Sequence, residues 1–285
     1  MWYEEKGKVT EGTESYKTVI LGDSRAKSSL MPLISDENGG TYNLAIGGTT
    51  AVEMYYAFDN YMETHAAPEN AVIIFAPYHF CDADNFDQTL YYNYLSVPEI
   101  IELYSGTFMY KDGEDIRKKL NLPDILSYKL RFPNKYMAAL IDSRFNGNLT
   151  ENTAKLKGIE EELGYTYFGT DEENNEPNYE THHKSFDSSD IILSYYDRLL
   201  TRLDKEGVNV VIEQAPVNPV SDEETTDDFY AGYEEMLNRI EKEHPRFTVV
   251  KKVPVYEADK FGDNNHLNAR GAEVYSEYFR KTYGF

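Results

Sequence analysis

Residues 18–24 read Thr-Val-Ile-Leu-Gly-Asp-Ser. A short run of β-branched and apolar residues that ends in glycine and polar residues is typical of a buried parallel strand followed by a tight turn. The pattern predicts a strand over residues 18–21, a turn over 22–24 and a helix over 25–34. Such a strand–turn–helix unit is the repeating element of a parallel sheet covered by helices.

Similar units follow along the chain. Further buried strands are predicted over residues 41–46, 71–76, 208–212 and 247–250. Helices are predicted over 51–64, from Ser188 or Ser189 to Gly207, over 226–243 and over 268–282. Thr49 or Thr50 can cap the first of them, and Glu53 follows Thr50 with the spacing of a capping box. The alternation predicts an α/β fold, a three-layer α/β/α sandwich with a central parallel five-stranded sheet of the flavodoxin-like type.

The predicted organisation is one domain with a long insertion. Residues 1–17 are interpreted as a polar N-terminal arm, and residues 18–285 as a single domain. Residues 79–186 break the strand–helix pattern after the third strand and are interpreted as an insertion over the sheet. The polar tract 169–184 within it is predicted to be a mobile loop. Short helices are predicted in the insertion near 97–104, 114–120 and 133–144.

The composition argues against several classes of protein. The chain has 285 residues with 28 Lys and Arg against 50 Asp and Glu, and a net charge of −22 repels both nucleic acid and anionic membrane surfaces. Cys81 is the single cysteine, which rules out an internal disulfide framework. No stretch approaches the roughly 18 consecutive apolar residues that a membrane span needs.

Polar residues that carry chemistry follow the ends of predicted strands. Ser24 follows the first strand, and Asp263 and His266 lie in the turn before the last helix. In a parallel sheet these positions meet at the carboxyl edge, where ligands bind. A serine hydroxyl becomes a nucleophile when a histidine removes its proton, and a carboxylate can orient that histidine. The alternative is that Ser24 only caps a helix and that Asp263 only caps a polar turn.

Backbone amides at the same edge are candidate donors to an oxyanion. The N–H of Ser24 would point outward at the start of a helix, and Gly47 and Gly48 follow the second strand. Glycine also permits the positive φ that a tight strand-to-helix turn needs, so the two glycines have a purely geometric explanation as well.

The combination of these motifs resembles the SGNH/GDSL hydrolases. Residues 19–24 resemble the first sequence block of that family, residues 43–48 the second, and Asp263-x-x-His266 the last. The resemblance covers about 18–76 and 187–285 and implies a Ser24–His266–Asp263 triad with Gly48 in the oxyanion hole. It implies a serine esterase or O-acyltransferase that acts on acyl esters and needs neither a metal nor another cofactor.

The third block departs from the family pattern. Residues 76–79 read Ala-Pro-Tyr-His where the family usually has Gly-x-Asn-Asp, so Tyr78 stands in place of the Asn that donates to the oxyanion. The Tyr78 phenol is a candidate oxyanion donor on a longer arm, and either Tyr78, His79 or another group compensates for the Asn or the enzyme is slow or selective. Loss of one such donor costs about 10²–10³ in rate. Together with Arg25 after the serine, this departure resembles the DltD-like branch, which acylates bacterial cell-surface polymers.

That branch implies a setting for the protein. The expected substrate is a small-molecule or carbohydrate acyl ester, such as an ester of a cell-surface polymer, and a membrane-bound acyltransferase is an expected partner. The expected location is extracytoplasmic, in a secreted or membrane-anchored bacterial protein, with a cytoplasmic location left open. The missing Asn also motivates an alternative, an inactive SGNH-like binding or accessory protein in which Ser24, Asp263 and His266 do not meet.

Three further residues are candidates for substrate binding. Arg25 would anchor an anionic group, although it would equally pair with a surface carboxylate. His79 and Asn218 lie at the same sheet edge, and Asn218 would alternatively close a turn beside Pro219. His182 and His183 lack regular metal-ligand spacing, so no metal site is predicted.

Overall fold

A five-stranded parallel sheet forms the centre of the protein. The computed structural model describes residues 2–10, 14–36, 39–82, 86–130, 137, 141 and 149–284. The strands are β1 (Thr18–Gly22), β2 (Thr41–Asn43), β3 (Asn70–Ile74), β4 (Asn209–Ile212) and β5 (Thr248–Val249). Their order is β2-β1-β3-β4-β5, and every neighbouring pair is parallel. This is the flavodoxin-like order, so the predicted fold class is confirmed.

Helices cover the sheet, and most predicted helices lie within a few residues of their expected bounds. Thr50 caps its helix as predicted, with Glu53 completing the capping box. The helix predicted over 133–144 falls almost entirely outside the described residues. The helices are Trp2–Thr10, Ser24–Ser29, Pro32–Ser35, Ala51–Thr64, Phe86–Tyr91, Val97–Gly106, Gly113–Lys119, Leu122–Lys129, Leu149–Glu161, Asp190–Lys205, Pro219–Glu224, Asp227–Glu243 and Ala269–Tyr283.

The two faces of β1 belong to two separate cores. Val19 and Leu21 pack in the larger core, which includes apolar side chains of the helices Ala51–Thr64 and Asp190–Lys205. Ile20 points to the other face and packs in the core that includes the helix Ala269–Tyr283. Successive side chains of a strand point to opposite faces, so the continuous apolar run is explained by helices on both sides.

The ends of β1 and β2 shape the carboxyl edge of the sheet. Gly22 has φ +144°, and a Cβ at this position would lie 1.8 Å from the carbonyl oxygen of Ile74. β2 ends earlier than predicted, at Asn43, although the N–H groups of Leu44 and Ile46 still donate to carbonyls of β1 at 2.8 and 3.0 Å. The chain therefore stays beside β1 up to the glycine turn.

The segment interpreted as a polar arm contains a helix, Trp2–Thr10, which the sequence reasoning missed. Glu5 and Val9 of this helix are buried, and Glu5 faces Lys27 at 3.7 Å. A polar sequence therefore does not exclude burial of this helix, because its buried carboxylate meets a buried lysine. Within the described residues, no helix is long and apolar enough to cross a membrane.

Candidate active site

The structure brings Ser24, His266 and Asp263 together at the carboxyl edge of the sheet. Ser24 Oγ lies 2.7 Å from His266 Nε2. On the other side of the imidazole ring, Nδ1 lies 2.9 Å from Asp263 Oδ1 and 2.8 Å from Oδ2. The three side chains form a continuous chain of hydrogen bonds, with the geometry of a nucleophile, a base and a carboxylate that orients the base.

Local hydrogen bonds hold the turn that carries Asp263 and His266. Asp263 Oδ1 accepts the backbone N–H groups of Asn265 and His266, both at 2.8 Å. The N–H of Gly262 donates to the carbonyl of His266 at 2.9 Å and closes the turn. The carboxylate therefore shapes the backbone that presents the imidazole and also binds the imidazole itself.

The surroundings of Asp263 favour its ionised form. Partial burial opposes ionisation, but hydrogen bonds from the His266 ring and from the backbone N–H groups of Asn265 and His266 outweigh it and lower the pKa of Asp263. An ionised Asp263 accepts a hydrogen bond from Nδ1, which leaves Nε2 of the neutral ring as the acceptor that faces Ser24.

Asp23 fixes the start of the helix that carries Ser24. Its Oδ1 accepts the N–H of Arg25 at 2.8 Å, and its Oδ2 accepts the N–H of Ala76 at 2.6 Å. Oδ2 also lies 2.9 Å from Nδ1 of His79. Burial of Asp23 opposes its ionisation, but His79 and the Ala76 N–H outweigh this effect and lower the pKa of Asp23. Ser24 is the first helical residue and stays partly exposed between buried neighbours.

The glycine turn after β2 lies against the nucleophile strand. Gly48 has φ +77°. Thr49 Oγ1 donates to the carbonyls of Ile46 at 2.8 Å and Gly22 at 3.2 Å, which ties the turn to the end of β1. The turn that contains Gly48 therefore lies beside the end of β1, and its positive φ meets the conformational need of the turn.

Tyr78 is largely enclosed by other rings. Its ring centroid lies 4.2 Å from that of His79 and 5.3 Å from that of Tyr179. Burial and the nearby Asp23 carboxylate raise the pKa of Tyr78 well above its ordinary value. The phenol therefore keeps its proton and remains a hydrogen-bond donor across the pH range of ordinary enzyme assays.

Arg25 is buried with a partner that the sequence analysis did not identify. It is 2% exposed, and its Nη2 donates to Glu180 Oε2 at 2.6 Å and to Asn265 Oδ1 at 2.8 Å. Arg25 is thus held in an internal ion pair, and its carboxylate partner is buried instead of lying on the surface. Glu180 and Asn265 carry no motif that would have marked them.

His79 and Asn218 also have partners within the chain. His79 is 5% exposed and faces Asp23, as described above. Asn218 is fully buried and caps the helix Pro219–Glu224 by accepting the N–H of Ser221 at 2.9 Å, while its Nδ2 donates to the carbonyl of Glu176 at 2.8 Å. Asn218 therefore closes the turn beside Pro219, as the alternative interpretation expects. The side chains of His79 and Asn218 are both buried against other parts of the chain.

Residues 166–182, which we call the strap, lie against the turn that carries Asp263 and His266. The N–H of Asp171 donates to the carbonyl of Gly262 at 2.9 Å, and Asn264 Nδ2 donates to the carbonyl of Pro177 at 3.0 Å. The ring of Phe168 lies 4.9 Å from that of His266, centroid to centroid. The tract predicted to be a mobile loop is thus joined by hydrogen bonds to the turn that carries Asp263 and His266.

A groove of about 410 Å³ lies beside the strap and the start of the last helix. Tyr167, Thr170 and Arg270 are among the residues that line it. In the described part of the chain, no three His, Cys, Asp or Glu side chains are grouped so that they would hold a metal ion. His183 instead packs against Phe229, with 5.7 Å between ring centroids.

Comparison of the chain with models of known protein families finds no match, and comparison with curated proteins finds none either. The function proposed for this protein therefore depends on the geometry of Ser24, His266 and Asp263 and on the sequence motifs that carry them.

Proposed function

We propose that the protein is a serine esterase or O-acyltransferase of the SGNH/GDSL type. The observation that carries the proposal is the 2.7 Å contact between Ser24 Oγ and His266 Nε2, with Asp263 on the far side of the ring. This is the arrangement in which a histidine can remove the proton of a serine hydroxyl as that oxygen attacks.

The reaction has two halves. Ser24 Oγ attacks the carbonyl carbon of an acyl ester while its proton passes to His266 Nε2, and the carbonyl oxygen becomes an oxyanion. As the tetrahedral intermediate collapses, His266 gives that proton to the departing alcohol and an acyl-serine remains. In the second half, His266 takes a proton from water or from an acceptor hydroxyl, which attacks the acyl-serine. Water yields a carboxylic acid, and an acceptor hydroxyl yields a new ester.

The oxyanion is assigned to donors at the sheet edge. The backbone N–H groups of Ser24 and Gly48 are the first two, because they begin a helix and follow β2 at the same edge. The Tyr78 phenol is the third candidate, since it stays protonated and occupies the sequence position of the family's Asn donor. The hydroxyl of Tyr78 lies farther from its backbone than the amide of an Asn would. A donor at this distance fits a selective enzyme better than a fast general esterase.

The substrate class follows from charge and from the sequence resemblance. A chain of net charge −22 repels polyanions, so a neutral or zwitterionic acyl ester is the favoured substrate. The resemblance to the DltD-like branch favours an ester of a carbohydrate or a bacterial cell-surface polymer, an extracytoplasmic location and a membrane-bound acyltransferase as partner. These elements belong to the proposal.

The alternative function is an inactive binding or accessory protein, and Tyr78 in the place of Asn is the observation that favours it. That alternative predicts that Ser24 and His266 lie apart, whereas they are 2.7 Å apart in the structure. It also predicts that Ser24→Ala leaves every function of the protein intact. The distance supports the enzyme.

Labelling with a fluorophosphonate tests the proposal, because this probe reacts with a serine that a neighbouring base activates. We expect the wild type to be labelled and Ser24→Ala not to be, with Cys81→Ser as the control that keeps full labelling. Absence of labelling at every pH from about 6 to 9 would contradict the proposal. A panel of esters, with and without carbohydrate acceptors, then separates hydrolysis from transfer by its products.

A further inference from the structure

A second connection joins the nucleophile and the base through their neighbours in the chain. Arg25 follows Ser24, and Asn265 precedes His266. The 2.8 Å hydrogen bond from Arg25 Nη2 to Asn265 Oδ1 therefore links the two catalytic positions independently of their own contact. The same nitrogen donates to Glu180 Oε2 at 2.6 Å, which brings the strap into this link.

Arg25 and Glu180 form a buried ion pair within this connection. Arg25 and Glu180 are each 2% exposed, so neither charge is solvated by bulk water and each depends on the other. Burial disfavours the charged guanidinium, but Glu180 outweighs this effect and raises the pKa of Arg25. Arg25 therefore keeps its charge, and hydrogen bonds from a charged donor are shorter and stronger than neutral ones.

We infer that Arg25, Glu180 and Asn265 are positioning residues, which form a clamp that aligns Ser24 with His266 and balances the charge beside the imidazole. The inference depends on the proposed function for the roles of Ser24 and His266. The cation of Arg25 alone would oppose the imidazolium that forms when His266 accepts the serine proton. Glu180 compensates that cation, so the clamp holds the geometry without a net charge.

Titratable and charged groups from several elements lie around the clamp. Asp263 lies in the His266 turn, Asp23 and Arg25 at the start of the nucleophile helix, Tyr78, His79 and Cys81 in the segment after β3, Glu180 and Tyr179 in the strap, and Tyr230 and Tyr233 in the helix Asp227–Glu243. Removal of the Glu180 charge alone makes this set more positive by one charge. The added positive charge then favours the neutral imidazole over the imidazolium.

Glu180→Gln tests the charge balance, because it keeps the shape and a hydrogen-bond acceptor while it removes the charge. The His266 ring is followed by NMR over a pH series and is identified by the signal that His266→Asn lacks. We expect the titration midpoint of this ring to be lower than in the wild type, because the variant leaves the Arg25 cation uncompensated. The rise of the fluorophosphonate labelling rate with pH should move to lower pH by the same amount.

Asn265→Ala tests the alignment, because it breaks the link and leaves the Arg25–Glu180 pair in place. We expect the plateau of the labelling rate at high pH to fall about 10- to 100-fold, since small misplacements of reacting groups have effects of that size. The control is Glu5→Gln, which removes a buried carboxylate that faces Lys27 of the nucleophile helix. Glu5→Gln should lower the free energy of unfolding. It should change neither the His266 titration midpoint nor the plateau of the labelling rate.

The two readouts separate failure of the clamp from failure of the proposed function. An unchanged His266 midpoint in Glu180→Gln, or an unchanged plateau in Asn265→Ala, overturns the clamp. If the wild type is not labelled, the proposed function fails, and the NMR midpoint still decides whether Glu180 sets the charge beside His266. If Glu180→Gln does not fold, Asn265→Ala decides the inference alone.

Discussion

Nδ1 of His79 lies 2.9 Å from Oδ2 of Asp23, the residue that precedes Ser24. The same carboxylate accepts the N–H groups of Arg25 and Ala76, so it connects the start of the nucleophile helix to the chain that leaves β3. The protein thus has two carboxylate–imidazole contacts at one edge of its sheet. One contains the base of the proposed triad, and the other holds the backbone from which the nucleophile projects.

Asp23→Asn is expected to destabilise the fold in a pH-dependent way. The amide cannot accept hydrogen bonds on both sides, so one buried N–H is left without an acceptor and the contact to His79 is lost. We expect a loss of about 2–3 kcal/mol in the free energy of unfolding at pH 7. The folded-state pKa of Asp23 is lowered, so its contribution is present above the ordinary value of 3.8 and disappears as the pH falls through the folded value.

Denaturant unfolding of both proteins at pH 7 and at about pH 3 measures this difference. Asp115→Asn is the control, because Asp115 is an exposed carboxylate whose side chain pairs with Lys118 on the surface. A difference between wild type and Asp23→Asn that stays the same at both pH values would show that Asp23 does not contribute through its charge.

Asp263→Asn is expected to lower the labelling rate about 10³- to 10⁴-fold. The amide can donate to Nδ1 instead of accepting from it, which places the ring proton on Nε2 and removes the acceptor that faces Ser24. Stopped-flow or quenched labelling at pH 8 measures the effect, with Asp259→Asn as the control four residues earlier in the chain. A decrease of less than tenfold would mean that Asp263 does not orient the base.

Gly22→Ala is expected to lower the free energy of unfolding by about 3 kcal/mol or more. The added Cβ would lie 1.8 Å from the carbonyl oxygen of Ile74, and the φ of +144° disfavours any other residue. Gly207→Ala is the matched control, because Gly207 also has a positive φ but no atom of the described residues lies within 4 Å of the position that its Cβ would take. The control should lose about 1–2 kcal/mol. Equal losses would show that the contact with β3 is not the reason for glycine at position 22.

Cys81→Ser is expected to leave fluorophosphonate labelling unchanged. Burial and the nearby Asp187 carboxylate raise the pKa of the Cys81 thiol to about 12, so almost no thiolate exists at neutral pH. We expect wild-type Cys81 to react with iodoacetamide at pH 8 far more slowly than glutathione does, and mass spectrometry of the alkylated protein measures this. Rapid alkylation would contradict the assignment of Cys81 as an unreactive thiol.

The sheet and the triad are predictable because their signals are local. A buried strand that ends in glycine and a polar turn before a helix are visible over a few residues, and parallel topology then brings distant strand ends to one edge. Thr50 and Glu53 are predictable for the same reason, since a capping box spans one helical turn. The Asp263–His266 pair lies within a single turn.

The clamp and the N-terminal helix are not predictable in this way. Glu180 is separated from Arg25 by 155 positions, and nothing near it distinguishes it among 50 acidic residues. Glu5 is buried because it meets Lys27, and its polarity suggests the opposite location. The position of Arg25 at the sheet edge likewise does not reveal that its side chain points inward. That orientation depends on Glu180, which lies in the strap.

The hydrogen bond between Ser24 and His266 joins residues 242 positions apart. A ribosome that adds roughly 5–20 residues per second completes the nucleophile helix well before it reaches the base. During that interval the serine is an ordinary alcohol, so a growing chain cannot acylate itself or its neighbours. In the proposed enzyme, Ser24 therefore gains its reactivity only after His266 has been synthesised and the helix Ala269–Tyr283 has docked, so labelling of Ser24 also reports that this part of the chain has folded.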